Sequence, residues 1–271
     1  MDAVGLEFDR PSCFSRLRSA LDWRQVRLFV LYASPFFMVA GLYEVLRSVI
    51  GIRAQIHIGD LYALEEQWFP VQTSTGVQAL SEVIARATHP LLDVICGATY
   101  LLFLPEYICV AAYLFFRNQP KMLQASLGFL ITNLLGWAVW LVYPAAPPWY
   151  VDLYGIGPAV LDAASSPAGL SRLDALLGLP IADVFYSKSA NVFGAMPSLH
   201  VAYATFIAFV ARPYRGWLRN GTLLFAVSVA FSAVYLRHHY LLDVFAGWIL
   251  AVLAWGLVRF FLRAPVEKVA A

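Results

Sequence analysis

An uncharged stretch constrains this chain more than any other feature: residues 122–151 contain no Asp, Glu, Lys or Arg, and most of them are apolar. A helix needs roughly 20 predominantly apolar residues to cross the hydrocarbon core of a bilayer. The run is continuous and does not alternate, which excludes a strand of a membrane β-barrel. Five further apolar segments approach the same length. We therefore predict six membrane-spanning helices, at 26–50, 91–116, 122–142, 197–211, 221–236 and 240–262.

The composition supports a membrane protein. Of the 271 residues, 61% are hydrophobic and only 13% are charged, whereas a soluble domain carries about 25% charged residues. So few charges cannot cover a water-soluble globule of this size. An ordinary cytosolic enzyme, a disordered regulator and a nucleic-acid binder are therefore excluded. We predict the all-α class: a polytopic membrane protein built as a six-transmembrane-helix bundle.

The positions of Lys and Arg predict the orientation of the bundle, because cytoplasmic loops carry an excess of these residues. Thirteen of the 19 lie in the N-terminal tail and first-span entry, in the loops 117–121 and 211–220, and at the C-terminal end. Six spans place all four regions on one side, so we predict that both termini are cytoplasmic. The residues are Arg10, Arg16, Arg18, Arg24, Arg27, Arg117, Lys121, Arg212, Arg215, Arg219, Arg259, Arg263 and Lys268.

We predict one domain with short tails. In this prediction, residues 1–25 form a basic cytoplasmic tail, 26–263 form the six-helix membrane domain, and 264–271 form a second cytoplasmic tail. The first 25 residues mix acidic and basic side chains and are too charged for a cleavable signal. The three cysteines, Cys13, Cys96 and Cys109, show neither a disulfide framework nor zinc spacing. We therefore predict no metal ion and no cofactor.

Two outer loops, 51–90 and 143–196, provide the room for structure outside the spans. Apolar residues recur with helical spacing in 60–69 and 76–88, which predicts two short helices along the membrane surface. The second loop opens with the proline-aromatic run YPAAPPWY. All five histidines lie at or near this outer face: His57, His89, His200, His238 and His239.

Two motifs carry the chemistry, GAMPSLHVAY at 194–203 and YLRHHYLLDVFAG at 235–247. Pro197 suits the first turn of a helix, so Ser198 and His200 are predicted at a helix N-terminus, where free backbone N–H groups favour an anion. His239 and Asp243 are four residues apart, hence on one helix face. An aspartate at that spacing accepts the Nδ1–H of the imidazole and leaves Nε2 as a nucleophile or base.

These motifs resemble two signatures of the PAP2 superfamily of membrane phosphatases and phosphotransferases. Its P-S-x-H signature matches residues 197–200, and the H-x3-D part of its S-R-x5-H-x3-D signature matches residues 239–243. The resemblance covers residues 90–262. The strings APPWY, PSLH and HHYxxD are most similar to the inositol phosphorylceramide synthase branch, whereas the sphingomyelin synthase branch has S-G-H in place of Ser198-Leu199-His200.

The chain also departs from the superfamily pattern. The first signature, K-x6-R-P, is missing before the fourth span, and the S-R pair is replaced by Ser232-Ala233. A phosphate monoester needs dense cationic clamping, because negative charge spreads over three oxygens in the transition state. A phosphodiester carries one fewer negative charge. The lost cations therefore favour transfer of an intact headgroup phosphate.

The resemblance implies a role for each motif residue. His239 attacks phosphorus and forms a phosphohistidine, and Asp243 orients and stabilises its ring. His200 protonates the departing lipid alkoxide and then deprotonates the acceptor hydroxyl. Seven more residues are candidates for substrate binding, either as replacement cations or as headgroup contacts: Ser198, Arg237, His238, Lys188, Asp93, Trp149 and Tyr150. For Ser198, the role of a helix N-cap is as well supported as phosphate contact. Trp149 and Tyr150 are more often aromatic residues at the membrane–water interface than ligand contacts.

We therefore expect a membrane phosphotransferase that moves a phosphoinositol-like headgroup from a glycerophospholipid to a lipid alcohol, on the non-cytoplasmic side of a bacterial plasma membrane. Its expected partners are lipids of the bilayer, with no nucleic acid; the sequence does not set the oligomeric state. A lipid phosphate phosphatase acting on phosphatidate or polyprenyl phosphates is the alternative. A non-catalytic transporter or scaffold is the third reading.

Overall fold

The computed structural model of the chain describes residues 22–187 and 191–263. Four helices in this part of the chain are long and apolar enough to cross a membrane, and a bent pair of helices brings the number of candidate spans to five if the pair is counted as one. The chain is thus a multi-pass membrane protein. In order, the elements are α1 (Trp23–Val49), α2 (Gly59–Trp68), β1 (Pro70–Thr73), β2 (Gly76–Ala79), α3 (Leu80–Arg86), α4 (Pro90–Leu101), α5 (Phe103–Arg117), α6 (Gln119–Val142), α7 (Pro148–Tyr154), α8 (Ser171–Leu177), α9 (Ile181–Tyr186), α10 (Leu199–Ala211), α11 (Trp217–Tyr235) and α12 (Leu241–Arg263).

The second predicted span is broken. Helices α4 and α5 meet at Leu102 with a bend of 52°. Pro105 lies in the first turn of α5, where it has no N–H to bond Leu101 and its ring crowds that carbonyl. The span predicted over 91–116 is thus a pair of helices that meet at a bend rather than one continuous helix.

The predicted fourth span is the short helix α10, which has 13 residues. At 1.5 Å per residue it is about 20 Å long, less than the roughly 30 Å of a hydrocarbon core. Nearly all of its side chains are buried, against α6, α11 and α12. At Gly128 of α6, an added Cβ would lie 1.9 Å from the ring of Phe206. A short helix is tolerated here because protein rather than lipid surrounds it.

The outer helices present apolar side chains outwards, as expected of a surface that faces lipid. Phe37, Phe116, Leu224 and Phe260 are each about two thirds exposed or more. Inside the bundle, Asn133 of α6 accepts a hydrogen bond from the Tyr203 hydroxyl of α10 at 2.6 Å. Such a bond joins neighbouring helices without exposing a polar group to lipid.

The first outer loop corrects the all-α prediction. Helix α2 lies where 60–69 predicts one, but residues 70–79 form an antiparallel hairpin in which Thr73 pairs with Gly76. Each strand contains a Val-Gln pair, and more and less exposed residues alternate along both strands, which suits a half-buried hairpin rather than a helix. Gly76 has φ +116°, a conformation that side chains rarely adopt. The predicted helix over 76–88 is thus confined to α3.

The second outer loop, 143–196, is folded onto the bundle. Residues 54–57, 144–146 and 193–195 lie side by side, with Ala145 bridged to both His57 and Gly194. Helices α7, α8 and α9 follow the YPAAPPWY turn, and Leu170 between them is fully buried. Loop and bundle therefore build one end of the molecule together.

Candidate active site

The PSLH turn places His200 at the start of α10. Ser198 is the N-cap residue, and its Oγ accepts a hydrogen bond from the backbone N–H of Val201 at 3.4 Å. A side-chain oxygen in this position satisfies one of the free donors of the first turn. The prediction that Pro197 occupies the first helical turn is wrong, since α10 begins at Leu199. Ser198 is fully buried as a cap and does not line the cavity described below.

The second motif brings His239 next to Asp243 at the start of α12. The His239 Nδ1 atom lies 3.5 Å from Asp243 Oδ2. This is an ion-pair distance, longer than an ordinary hydrogen bond. The same Oδ2 accepts the backbone N–H of Tyr240 at 2.8 Å, which fixes the carboxylate. Both side chains are buried, and Asp243 is inaccessible to solvent.

The two motifs are tied to each other through the backbone. The Ser198 N–H donates to the Asp243 carbonyl oxygen at 3.1 Å. At Gly247, one turn further along α12, an added Cβ would lie 2.6 Å from the Ser198 carbonyl oxygen. As a result, the ring centroids of His200 and His239 are 5.8 Å apart. The structure thus brings together the three residues that the motifs single out.

Tyr100 holds His200, and sequence reasoning missed it. The Tyr100 hydroxyl is 3.2 Å from His200 Nδ1, and the two rings stack with centroids 4.4 Å apart. This contact leaves Nε2 of His200 for another partner. Tyr100 is one of 14 tyrosines and sits in an apolar span. No local pattern marks it, because the contact depends on how α4 packs beside α10.

Glu65 is a second residue that the sequence did not reveal. It lies on α2 in the first outer loop and is fully buried. Its carboxylate accepts the backbone N–H groups of Leu241 at 2.9 Å and Leu242 at 3.3 Å, which open α12. Burial raises the pKa of the Glu65 carboxyl, while these hydrogen bonds act in the opposite direction. Glu65 therefore anchors the helix that begins just after His239.

The two histidines face a cavity of about 340 Å³ at this end of the bundle. Its wall is rich in aromatic rings, and no Lys or Arg belongs to it within the part of the chain that the structure describes. A concave, mostly apolar pocket with a few polar groups is typical of a small-molecule or lipid site. Lining residues are Tyr43, Tyr100, Phe103, Trp140, Pro147, Trp149, Ser165, Phe185, Tyr186, Asn191, Val192, Gly194, Ala195, Leu199, His200, Tyr203, His238 and His239.

His238 lines the cavity as a neutral ring rather than as a cation. It is stacked between Tyr100 and Tyr186, and its Nε2 is 3.2 Å from the Pro167 carbonyl oxygen. Burial, with a smaller contribution from His239, lowers the pKa of His238 to about 3. The structure therefore does not favour His238 as a replacement for the missing phosphate-binding arginine.

Arg237 faces away from the cavity. Its guanidinium makes two hydrogen bonds to the carboxylate of Asp152 in α7. Its backbone has φ +63°, and its carbonyl oxygen accepts the N–H of Trp149 at 3.1 Å. A bidentate pair of this kind holds both charges in place. Arg237 thus fixes α7 to the loop that carries the histidines.

Of the remaining residues predicted to contact substrate, only Trp149 lines the described part of the cavity. Trp149 lines the cavity, whereas the Tyr150 hydroxyl accepts a hydrogen bond from the N–H of Val160 and lies outside the lining. Asp93 is buried and accepts hydrogen bonds from Arg172 at 2.7 Å and from the Tyr235 hydroxyl at 2.9 Å. These bonds occupy one of its oxygens in a network that joins α4, α8 and α11.

Lys188 falls outside the described residues. Over 22–187 and 191–263, no group of three His, Cys, Asp or Glu side chains is arranged to hold a metal ion.

The fold and the site together define a class: a helical membrane protein with two histidines and a buried aspartate at one end of its bundle. A family profile described as "PAP2 superfamily" matches residues 69–257. The chain belongs to the PAP2 superfamily.

Curated relatives of this chain fall in the branch that the motifs resemble. Phosphoinositol dihydroceramide synthase of Bacteroides thetaiotaomicron is 37% identical over 204 residues, which are 74% of this chain and 66% of that protein. The inositol phosphorylceramide synthase catalytic subunit of Saccharomyces cerevisiae is 36% identical over 194 residues, 70% of this chain and 48% of that protein. The corresponding synthase of Candida albicans is 32% identical over 213 residues, 73% of this chain and 44% of that protein.

The chain therefore spans 66% of the length of the bacterial relative and less than half of the length of these fungal ones. Among solved structures, the crystal structure of Aquifex aeolicus LpxE matches 66% of this chain and 92% of that chain, with a TM-score of 0.46 and 19% identity.

Proposed function

We propose that this protein is a membrane phosphotransferase that moves a phosphoinositol-like headgroup from a glycerophospholipid to a lipid alcohol. One observation carries the proposal: His239, paired with the buried Asp243, lies beside His200 in the wall of an aromatic cavity. A nucleophile, the group that orients it and an acid/base are the minimum set for covalent transfer.

In the first step, Nε2 of His239 attacks the phosphorus of the donor lipid. A P–N bond forms as the P–O bond to diacylglycerol breaks, and the departing alkoxide takes a proton from His200. The Asp243 carboxylate stabilises the positive charge that develops on the His239 ring. At the end of this step the headgroup phosphate is bonded to His239.

In the second step, His200 removes the proton from the hydroxyl of the acceptor lipid. The acceptor oxygen attacks phosphorus, the P–N bond breaks, and His239 returns to its neutral state. The same imidazole thus acts first as an acid and then as a base. An acyl-rich acceptor such as ceramide or diacylglycerol suits the aromatic wall of the cavity.

Two observations support a phosphodiester donor over a phosphate monoester. No Lys or Arg lines the described part of the cavity, and Arg237 is engaged by Asp152. A monoester dianion needs several cations in its transition state. The names of the relatives, phosphoinositol dihydroceramide synthase and inositol phosphorylceramide synthase, agree with headgroup transfer.

We further propose six crossings, with α4 and α5 together forming one of them and α10 forming the short fourth. The cavity lies at the end of the bundle where α6 ends and α10 begins, whereas Lys121, Arg212 and Arg259 surround a second cavity at the opposite end. The basic end is then cytoplasmic and the site is extracytoplasmic, in a bacterial plasma membrane.

A mixed-lipid assay with the purified protein in liposomes tests this function. It offers labelled phosphatidylinositol with ceramide or diacylglycerol, and phosphatidate in parallel, and resolves the products by mass. We expect a new phosphoinositol lipid that is lost in His239→Ala and in His200→Ala and retained in His89→Asn. His89 caps α4 outside the cavity, and Asn preserves a cap.

The other outcomes of this assay identify the alternatives. Inorganic phosphate released from phosphatidate, with no transfer product, would show a phosphatase. Movement of lipid across the bilayer that survives in His239→Ala would show a transporter.

A further inference from the structure

Two hydrogen-bond donors in the cavity have no partner within the described residues. They are the indole Nε1 of Trp140, in the last turn of α6, and the amide Nδ2 of Asn191, just before the PSLH segment. Both residues line the cavity that contains His200 and His239. Buried donors in proteins are nearly always paired, so an unpaired one calls for an explanation.

Several neighbouring polar groups of the cavity are paired within the protein. The Tyr203 hydroxyl donates to Asn133, the Tyr100 hydroxyl contacts His200, and His238 Nε2 contacts the Pro167 carbonyl. His239 Nδ1 also has no hydrogen bond, but it lies 3.5 Å from the carboxylate of Asp243. Within the described residues, no such group faces the donors of Trp140 and Asn191.

Both donors belong to residues that lie close to Gly194. A Cβ added there would be 2.8 Å from Asn191 Nδ2 and 3.1 Å from the Trp140 ring. The amide is held in place, because Asn191 Oδ1 accepts the backbone N–H of Phe193 at 3.2 Å. Gly194 itself is held by its bridge to Ala145. The pair is thus a fixed feature of the wall, and it depends on the missing side chain at Gly194.

We propose that Trp140 and Asn191 form a recognition site for the hydroxyl groups of a polyol headgroup. Both groups are neutral N–H donors, which suit the lone pairs of a hydroxyl oxygen. Phosphate sites instead favour charged donors, and no Lys or Arg stands beside these two in the described cavity wall. This inference rests on the proposed function, since it assigns the headgroup end of the same cavity.

The test measures binding and needs no turnover. His239→Ala serves as the background, and isothermal titration calorimetry in detergent compares short-chain phosphatidylinositol with phosphatidylmethanol of the same acyl chains. Both lipids carry one negative charge on the same phosphodiester, but phosphatidylmethanol has no hydroxyl group. Trp140→Phe and Asn191→Leu then each remove the donors while keeping a side chain of similar size.

We expect each substitution to weaken the binding of phosphatidylinositol about fivefold to tenfold, the loss that corresponds to one neutral hydrogen bond. Binding of phosphatidylmethanol should change less than twofold. The matched control is Trp137→Phe, one turn earlier on the same helix, buried but outside the cavity wall. It should leave the preference between the two lipids unchanged.

The proposal is overturned if both lipids weaken equally, if neither weakens, or if the parent binds both with the same affinity. Gly194→Ala provides a second variant in case Trp140→Phe does not fold, because its Cβ pushes the two donors apart and should reduce the same preference. Failure of the proposed function is seen in the transfer assay, as the absence of a phosphoinositol product. The binding preference is measured in His239→Ala without turnover, so the two failures are distinguished.

Discussion

The surroundings of a side chain, rather than its position in the sequence, distinguish the two adjacent histidines of the cavity. His238 is enclosed between two tyrosine rings, whereas His239 lies beside a carboxylate. Desolvation disfavours the charged form of an imidazole, so burial lowers the pKa of His238 and its ring is neutral. Two neighbouring histidines can therefore serve opposite purposes, one as part of the wall and one as the reactive group.

The state of His238 predicts a pH dependence of stability. Its pKa is lowered from 6.5 to about 3, so between these values the unfolded chain binds a proton that the folded chain does not. This contribution to stability is complete above pH 6.5 and is lost as the pH falls. Between pH 6.5 and 4.5 the loss amounts to roughly 2 kcal/mol.

His238→Phe keeps the stacking and removes the titration. We expect the melting temperature of this variant in detergent to fall less between pH 6.5 and 4.5 than that of the natural protein. Parallel curves for the two proteins would contradict the buried, neutral state.

The sequence revealed part of the site at this scale. Two short spacings, Ser198 to His200 and His239 to Asp243, point to these residues. The prediction that His239 and Asp243 lie on one helix face is wrong, because α12 begins at Leu241 and His239 precedes it, although the two side chains still meet. Tyr100 and Glu65 escaped the sequence argument, since their partners are 100 and 176 residues away. Arg237 was assigned to phosphate, but its partner Asp152 lies 85 residues away in sequence. Contacts of this range depend on packing, which no local pattern records.

At the scale of elements, the site depends on how closely α12 approaches the PSLH turn. Gly247 permits that approach, because a side chain there would meet the Ser198 carbonyl oxygen at 2.6 Å. We expect Gly247→Ala to destabilise the protein by about 1–3 kcal/mol and to separate His239 from His200. Transfer activity and melting temperature measure both effects.

Gly256→Ala is the matched control on the same helix. No atom lies within 4 Å of an added Cβ at Gly256, so Ala should be neutral or stabilising by up to about 1 kcal/mol. Equal behaviour of the two variants would contradict the role assigned to Gly247.

Helix α2 contributes to the site through Glu65. Glu65→Ala leaves the first N–H groups of α12 without their partner, and each unsatisfied buried donor costs about 1–3 kcal/mol. We expect a lower melting temperature and a reduced rate of headgroup transfer. Glu66→Ala, which removes the neighbouring carboxylate, should change neither by much. A Glu65→Ala protein as active as its parent would show that α12 needs no anchor from the outer loop.

Elements with a long apolar run could be predicted from sequence, and those shaped by single residues were predicted less well. The helices over 122–142 and 240–262 match α6 and α12 closely. The bend before α5 comes from Pro105, whose effect on a long apolar segment the hydropathy pattern does not register. The segment 76–88 is predicted as helix, but its first four residues form β2, because apolar residues in a short segment fit both periods.

At the scale of the whole molecule, the aromatic cavity and the basic cavity lie at opposite ends of the bundle. The described lining of the second contains Lys121, Arg212 and Arg259, three of the cations used to assign the cytoplasmic side. The basic residues thus lie at one end of the bundle and the candidate site lies at the other, as predicted from the sequence. The orientation itself remains a prediction, because apolar helices alone do not distinguish the two faces of a membrane.

Cysteine labelling tests the orientation. In a variant without native cysteines, Ser74→Cys lies in the hairpin turn at the cavity end, and Asn220→Cys lies at the basic end near the start of α11. We expect a membrane-impermeant maleimide to label Ser74→Cys in intact bacterial cells. Asn220→Cys should react only after the cells are permeabilised. The reverse pattern would place the site in the cytoplasm.

The central claim is that the headgroup passes through a covalent bond to His239. The most direct measurement incubates the protein with phosphatidylinositol labelled in its inositol ring, without an acceptor, and quenches within seconds at alkaline pH. Peptide mapping by mass spectrometry then locates the label. We predict inositol phosphate on His239, released on addition of acceptor and absent from His239→Ala. Transfer activity with the label on another residue, or on none, would contradict the account.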